Sequence, residues 1–89
     1  MLKAYNNLGS SLTNQGFPRE AIKCLKKALE INEDDPYILR NIATAYYVIE
    51  DFDNFIYYGE KALHDLEEPY KTELKEYLNK VYKKAGKES

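Results

Sequence analysis

Tryptophan is absent from this chain, and histidine, cysteine and methionine each occur once. That scarcity removes most of the chemistry a small protein could carry. The single cysteine, Cys24, has no partner for an internal disulfide and no companions for a zinc site. A free cysteine of this kind packs as a small, half-buried hydrophobe. The single histidine, His64, follows Glu60 by one helical turn and lies opposite the apolar stripe. It is expected to be a solvated residue at a helix C-terminus, where cations are favoured. No glycine-rich phosphate loop, nucleophile–base pairing or Cys/His ligand set is present. The acidic run Asn32-Glu33-Asp34-Asp35 lacks the alternation and the glycine of a calcium loop, and reads as turn chemistry, as does Glu67-Glu68. The expectation is a protein that is not an enzyme and that holds no metal and no cofactor.

Long apolar runs are missing too. None approaches the ~18 residues needed to cross a bilayer, and Met1-Leu2-Lys3 does not open a signal peptide. No membrane association is expected, and a soluble, cytoplasmic protein is the default. An excess of basic residues is also lacking. Thirteen Lys and Arg face fifteen Asp and Glu, for a net charge of −2, which argues against phosphate-backbone binding and so against nucleic-acid partners. The 89 residues contain 44 % hydrophobic and 31 % charged side chains, enough for one small folded domain spanning residues 1–89. Nine tyrosines make up most of the aromatic content. They predict half-buried rings with wet hydroxyls at helix seams or interaction surfaces.

What is present is a repeat. Shifted by 34 residues, Leu8-Gly9 falls on Ile42-Ala43, Leu12 on Tyr46, Ile22 on Ile56 and Ala28-Leu29 on Ala62-Leu63. A fixed period of that length marks stacked supersecondary units that bury their apolar faces against one another. Punctuation falls at matching intervals. Asn14-Gln15-Gly16 interrupts the first apolar pattern, and Pro18 suits the opening turn of a second helix. Ala21, Ile22, Leu25, Ala28 and Leu29 keep helical spacing until residues 32–36, where Asp35 can cap and Pro36 can start a third helix. Leu39, Ile42, Ala43, Tyr46 and Tyr47 mark that helix, Glu50-Asp51 the next break, and Phe52, Phe55, Ile56, Gly59, Ala62, Leu63 and Leu66 the fourth. A fifth, from about Pro69 to Lys84, carries Leu74, Tyr77, Leu78, Val81 and Tyr82. No strand pattern occurs. An all-α domain follows.

The fifth helix matches the third at a shift of 35, with Lys71, Lys75, Glu76, Lys80, Lys83 and Lys84 crowding its other face. It is expected to cover the array on one side and meet water on the other. The chain starts almost inside its first helix without an evident N-cap, as a piece of a longer array or a minimal engineered unit would. Such a start predicts exposed apolar surface, and a monomer or weak self-association through uncapped helix faces.

In the first unit, Tyr5, Leu8-Gly9, Leu12, Gly16, Ala21, Leu25 and Ala28 follow one signature. The chain resembles a tetratricopeptide repeat protein over Leu2 to about Leu66, with Tyr5 where tryptophan is commonest. In the second unit Leu39, Ile42, Ala43, Tyr46, Phe52 and Ala62 fit, but Phe55 stands where Ala21 stood and Gly59 where Leu25 stood. That is a volume-conserving exchange, predicting that Phe55 fills the space of the missing Gly59 side chain. Glu50 replaces the turn glycine, so this turn is expected not to need a positive φ.

The resemblance implies an α-solenoid of two antiparallel helix hairpins, residues 2–35 and 36–69, in a right-handed superhelix with a capping helix over 70–85. It also implies a concave groove lined by the first helix of each pair, holding a protein or peptide without catalysis. The implied contacts are Asn6, Ser10, Arg40, Asn41, Thr44 and Tyr47, with Lys3, Thr13 and Tyr37 peripheral. Asn side chains brace a ligand's amides and Arg40 pairs with a carboxylate, so acidic or carboxylate-bearing partners are favoured. One subfamily grips a C-terminal carboxylate with a lysine–arginine–asparagine clamp. Only Asn41 matches it; Asn6 and Ser10 replace two members, and either Lys71 and Lys75 or, with the extra linker residue counted, Thr72 and Glu76 stand at the remaining two. The alternatives are a repeat-folding unit without its own ligand and, more remotely, an RNA binder using the lysines of the last helix.

Overall fold

Helical spacing and well-placed caps produce five helices and no strand among the described residues, which in this computed structural model are residues 2–84 and 86, with side chains from Asn6 onward. They are α1 (Leu2–Asn14), α2 (Pro18–Ile31), α3 (Pro36–Val48), α4 (Phe52–Leu63) and α5 (Tyr70–Lys84). The side chains of Lys3 and Tyr5, and Ala85 at the expected end of the cap, lie outside the described residues. Helices α2 and α4 start 34 residues apart, as do α3 and α5, so the period shows in the backbone.

Local chemistry sets the boundaries. The Asp35 carboxylate accepts from the backbone N–H groups of Tyr37 (2.9 Å) and Ile38 (3.2 Å), and Pro36 occupies the first turn of α3. Asp51 accepts from the N–H of Asn54 at 3.4 Å and from its side-chain amide at 2.8 Å, capping α4. Such caps are worth about 1 kcal/mol each. At α5, Glu68 accepts from the Thr72 hydroxyl at 2.7 Å and the Thr72 N–H at 2.8 Å. Those donors, with Lys75 and Lys71 nearby, hold its carboxyl below the ordinary glutamate value.

The two hairpin turns are built alike. Phe17 N–H donates to the Leu12 carbonyl (2.7 Å) and Gly16 N–H to Thr13 (3.2 Å); Asp51 N–H donates to Tyr46 (3.0 Å) and Glu50 N–H to Tyr47 (3.1 Å). This is the bond pair of a Schellman C-cap, which puts one residue in the left-handed region. Gly16 takes φ 92° and Glu50 takes φ 61°. The expectation that the second turn avoids a positive φ is therefore corrected. The bonding pattern demands that conformation whichever residue stands there, and Glu50 adopts it against its Cβ.

The first helix of each hairpin packs along the second, α2 packs on α3, α1 on α3, and α4 on α5. The core joins Ala21, Leu25 and Ala28 of α2 to Ile38, Ile42 and Ala43 of α3, then to Phe55 and Ala62 of α4 and to Leu74, Leu78 and Val81 of α5. Two glycines decide how closely the helices meet. A Cβ on Gly9 would lie 2.4 Å from Leu25 Cγ, so the fully buried Leu25 sits directly on bare α1 backbone. In the second hairpin the pairing moves on by one helix. The nearest atoms to a Cβ on Gly59 all belong to Leu78 of α5, at 3.2–3.7 Å.

That corrects the volume exchange expected within α4. Leu78, reaching in from the neighbouring helix, occupies the space beside Gly59. Phe55 turns toward Tyr47, with ring centres 5.2 Å apart. Leu8 and Ile42 hold equivalent places in the repeat, yet Ile42 is 0 % exposed and Leu8 49 %. The preceding hairpin covers Ile42, whereas no described helix stands on that side of α1.

Three variants test this packing. Gly9→Ala loses about 1–2 kcal/mol, because overpacking against Leu25 outweighs the better helix propensity of alanine. Gly59→Ala stays within about 1 kcal/mol of the parent, since only the methyl end of Leu78 must give way. Glu50→Gly raises the melting temperature by several degrees, releasing about 1 kcal/mol of left-handed strain. Urea and thermal unfolding by circular dichroism read all three variants.

Candidate groove across α1, α3 and α5

The first helix of each hairpin and the last helix bring most of the expected contact residues to one region. Asn41 on α3 donates its side-chain amide to the Asn6 carboxamide oxygen on α1 at 2.8 Å. Each asparagine satisfies part of the other, leaving amide donors on Asn6 and an acceptor on Asn41. Ser10 is half-buried on the same helix as Asn6. Thr13 is 9 % exposed and donates its hydroxyl to the Gly9 carbonyl at 3.0 Å. The peripheral role expected of Thr13 is corrected accordingly: the hydroxyl is consumed inside α1.

On α3, Thr44 is exposed and donates its hydroxyl to the Arg40 carbonyl at 3.0 Å. Arg40 places its guanidinium over the Tyr70 ring at 4.7 Å, and Tyr37 meets the same ring edge-on at 5.8 Å. This cation–aromatic contact orients the charge. No carboxylate among the described residues pairs with Arg40, and its Nε is buried without an acceptor. Tyr47 is half-buried, with its ring 6.0 Å from Phe52, 5.2 Å from Phe55 and 5.3 Å from Tyr77.

Between α3 and α5 lies a cleft of about 410 Å³. Arg40, Thr44, Tyr47 and Val48 form the α3 wall, Phe55 reaches in from α4, and Glu73, Leu74 and Tyr77 form the α5 wall. The α5 contribution was missing from the residues expected by resemblance. A signal for it exists: Tyr70, Leu74 and Tyr77 recur at helical spacing along α5. Neither version of the carboxylate clamp is assembled in this cleft. Lys71 and Lys75 lie near Glu68, and neither they nor Thr72 and Glu76 line it.

The α2–α4 side has a different character. Clefts there are lined by Glu30, Glu33 and Asp34, and by Glu60 and Asp65, with Lys26 and Lys61 as cations and His64 at one edge. Tyr46 and Tyr58 stack at 5.6 Å, with Lys26 over the Tyr46 ring at 5.8 Å. The Tyr46 hydroxyl raises the Lys26 pKa. Tyr82 donates to Glu60, and burial together with that carboxylate pushes its phenol up to about 12. His64 is solvated at the end of α4, 3.6 Å from Asp65, and Cys24 is half-buried, both as expected. No group of three or more potential metal ligands occurs among the described residues, and no helix among them is long and apolar enough to cross a membrane.

Compared with known families, residues 2–35 match the tetratricopeptide repeat. No curated protein matches the chain. The matched span is the α1–α2 hairpin with the loop that follows it, and α3–α4 repeats the layout of its helices and turn.

Proposed function

The chain is a tetratricopeptide repeat protein, matched as such over its first hairpin, and from that premise we propose that it binds a segment of another protein, without catalysis, in the groove formed by α1, α3 and α5. Repeats of this family generally mediate protein–protein interaction. The observation that carries the reading is the α3–α5 cleft. It has an aromatic interior, an oriented arginine without a counter-ion among the described residues, and a polar asparagine pair farther along toward α1. Aromatic and arginine side chains of this kind supply most of the energy at protein interfaces. Asn6, Ser10, Arg40, Asn41, Thr44 and Tyr47 are the proposed contacts, with Tyr70 and Tyr77 added from α5.

A second reading, weak self-association, rests on the half-exposed Leu8 at a position that is fully covered in the second hairpin. Light scattering over a concentration series separates the two. Growth in mass that disappears in Leu8→Lys supports association through α1, and a constant monomer mass removes it.

The groove reading is tested by affinity capture with the parent chain and two charge variants at exposed positions. Thr44→Lys fills the mouth of the cleft and is expected to reduce capture of any specific partner at least tenfold. Lys27→Glu, on α2, is expected to leave capture unchanged. Equal loss in both variants, or in neither, would falsify the groove assignment.

A further inference from the structure

We propose that this groove selects an acidic segment with an apolar anchor: one bulky aliphatic or aromatic side chain set between α3 and α5, flanked by carboxylates. The proposal rests on the groove reading above and names the partner's chemistry. A second cleft, of about 480 Å³, adjoins the first through their shared residue Tyr47, with Phe52 and Val81 beside it and Lys80, Lys83 and Lys84 around it. The two clefts flank Tyr47 and are taken together as one trough, apolar along Tyr47, Phe52, Phe55, Leu74 and Tyr77.

Among the described residues, the cations of the trough form no ion pair. Arg40, Lys80, Lys83 and Lys84 line it against one anion, Glu73, and none of the four is ion-paired among the described residues. Three of them rest on aromatic rings instead: Arg40 over Tyr70 at 4.7 Å, Lys80 over Tyr77 at 5.5 Å and Lys84 over Phe52 at 5.6 Å. A ring orients a cation but leaves its hydrogen-bond donors for another group. The Arg40 Nε is buried without an acceptor, so the terminal guanidinium nitrogens are the donors left for a ligand carboxylate to meet.

The counterpart charges lie elsewhere. The clefts on the α2–α4 side are lined by five carboxylates (Glu30, Glu33, Asp34, Glu60 and Asp65) and two lysines. Within a net charge of −2, the clefts on the two sides are thus lined by opposite majorities of charge. Complementary potentials steer encounter and reject wrong docking more than they add affinity. An acidic segment is thus drawn to the trough and repelled from the other side. Glu73 on the α5 wall places the ligand's carboxylate toward α3 and disfavours a second one opposite it.

The test is a titration of the ¹⁵N-labelled full chain with synthetic peptides, following amide shifts. The probe is a dodecapeptide of glycine and serine carrying one leucine between two aspartates. Matched peptides replace both aspartates by asparagine, or the leucine by alanine, and single-stranded oligouridine serves as a competitor of another class. Shifts along α3 and α5, an asparagine peptide at least tenfold weaker, and an alanine peptide at least fivefold weaker are expected. Arg40→Gln should remove most of the aspartate preference, and Glu73→Gln, a change at an exposed residue, should strengthen binding several-fold. Leucine-dependent binding at α3 and α5 with equal affinity for the aspartate and asparagine peptides overturns the acidic partner and leaves the groove standing. Shifts confined to the α2–α4 side, or none with any peptide, overturn both. Salt-sensitive self-association through the trough, or tighter binding of oligouridine there, overturns the peptide as occupant.

Discussion

The arrangement turns on the contact between Leu78 and the bare backbone of Gly59. In the first hairpin the corresponding large residue, Leu25, belongs to the hairpin itself and presses on Gly9. In the second hairpin that residue has become glycine, and the space is filled from α5. The exchange hands the final packing of α4 to the next helix. It also fixes how α5 is rotated. With Leu74, Leu78 and Val81 as its buried stripe, the flanking residues Tyr70, Glu73 and Tyr77 are left beside α3.

That rotation links fold to surface. The helix that covers the array also supplies one wall of the cleft, and does so with aromatic rings that hold cations in place. Arg40 and Lys80 are oriented by tyrosines of α5 rather than by acidic partners. A conventional ion pair at either site would have satisfied the charge internally and closed the surface to a ligand. The clefts on the two sides are lined by opposite majorities of charge, which costs little at an exposed surface in salt.

Much of the fold was legible in the residues. The 34-residue echo, the prolines at helix starts and Asp35 as a cap each carry a local mechanism that acts without tertiary context. The Glu50 turn was misread because its conformation is set by the Schellman bond pair and not by residue type. The Phe55–Gly59 exchange was misread for a related reason: spacing along α4 shows which positions share a face, but not which neighbour fills a gap. The candidate groove residues on α1 and α3 were named from the repeat pattern, which extends over both helices. On α5 the pattern shifts by one residue, so the contributions of Tyr70, Glu73 and Tyr77 emerged only once the helix was packed. Thr13 likewise looked available until its hydroxyl was seen bonded inside α1.

The central claim is that Leu78 on Gly59 sets α5 and thereby makes the groove. Native-state hydrogen exchange of a Gly59→Leu chain tests it most directly, since a leucine there competes with Leu78 for one space. Protection in α5 should fall sharply while α1, α2 and α3 keep theirs, with loss of the fixed Arg40–Tyr70 contact. Unchanged α5 protection in that variant would contradict the account.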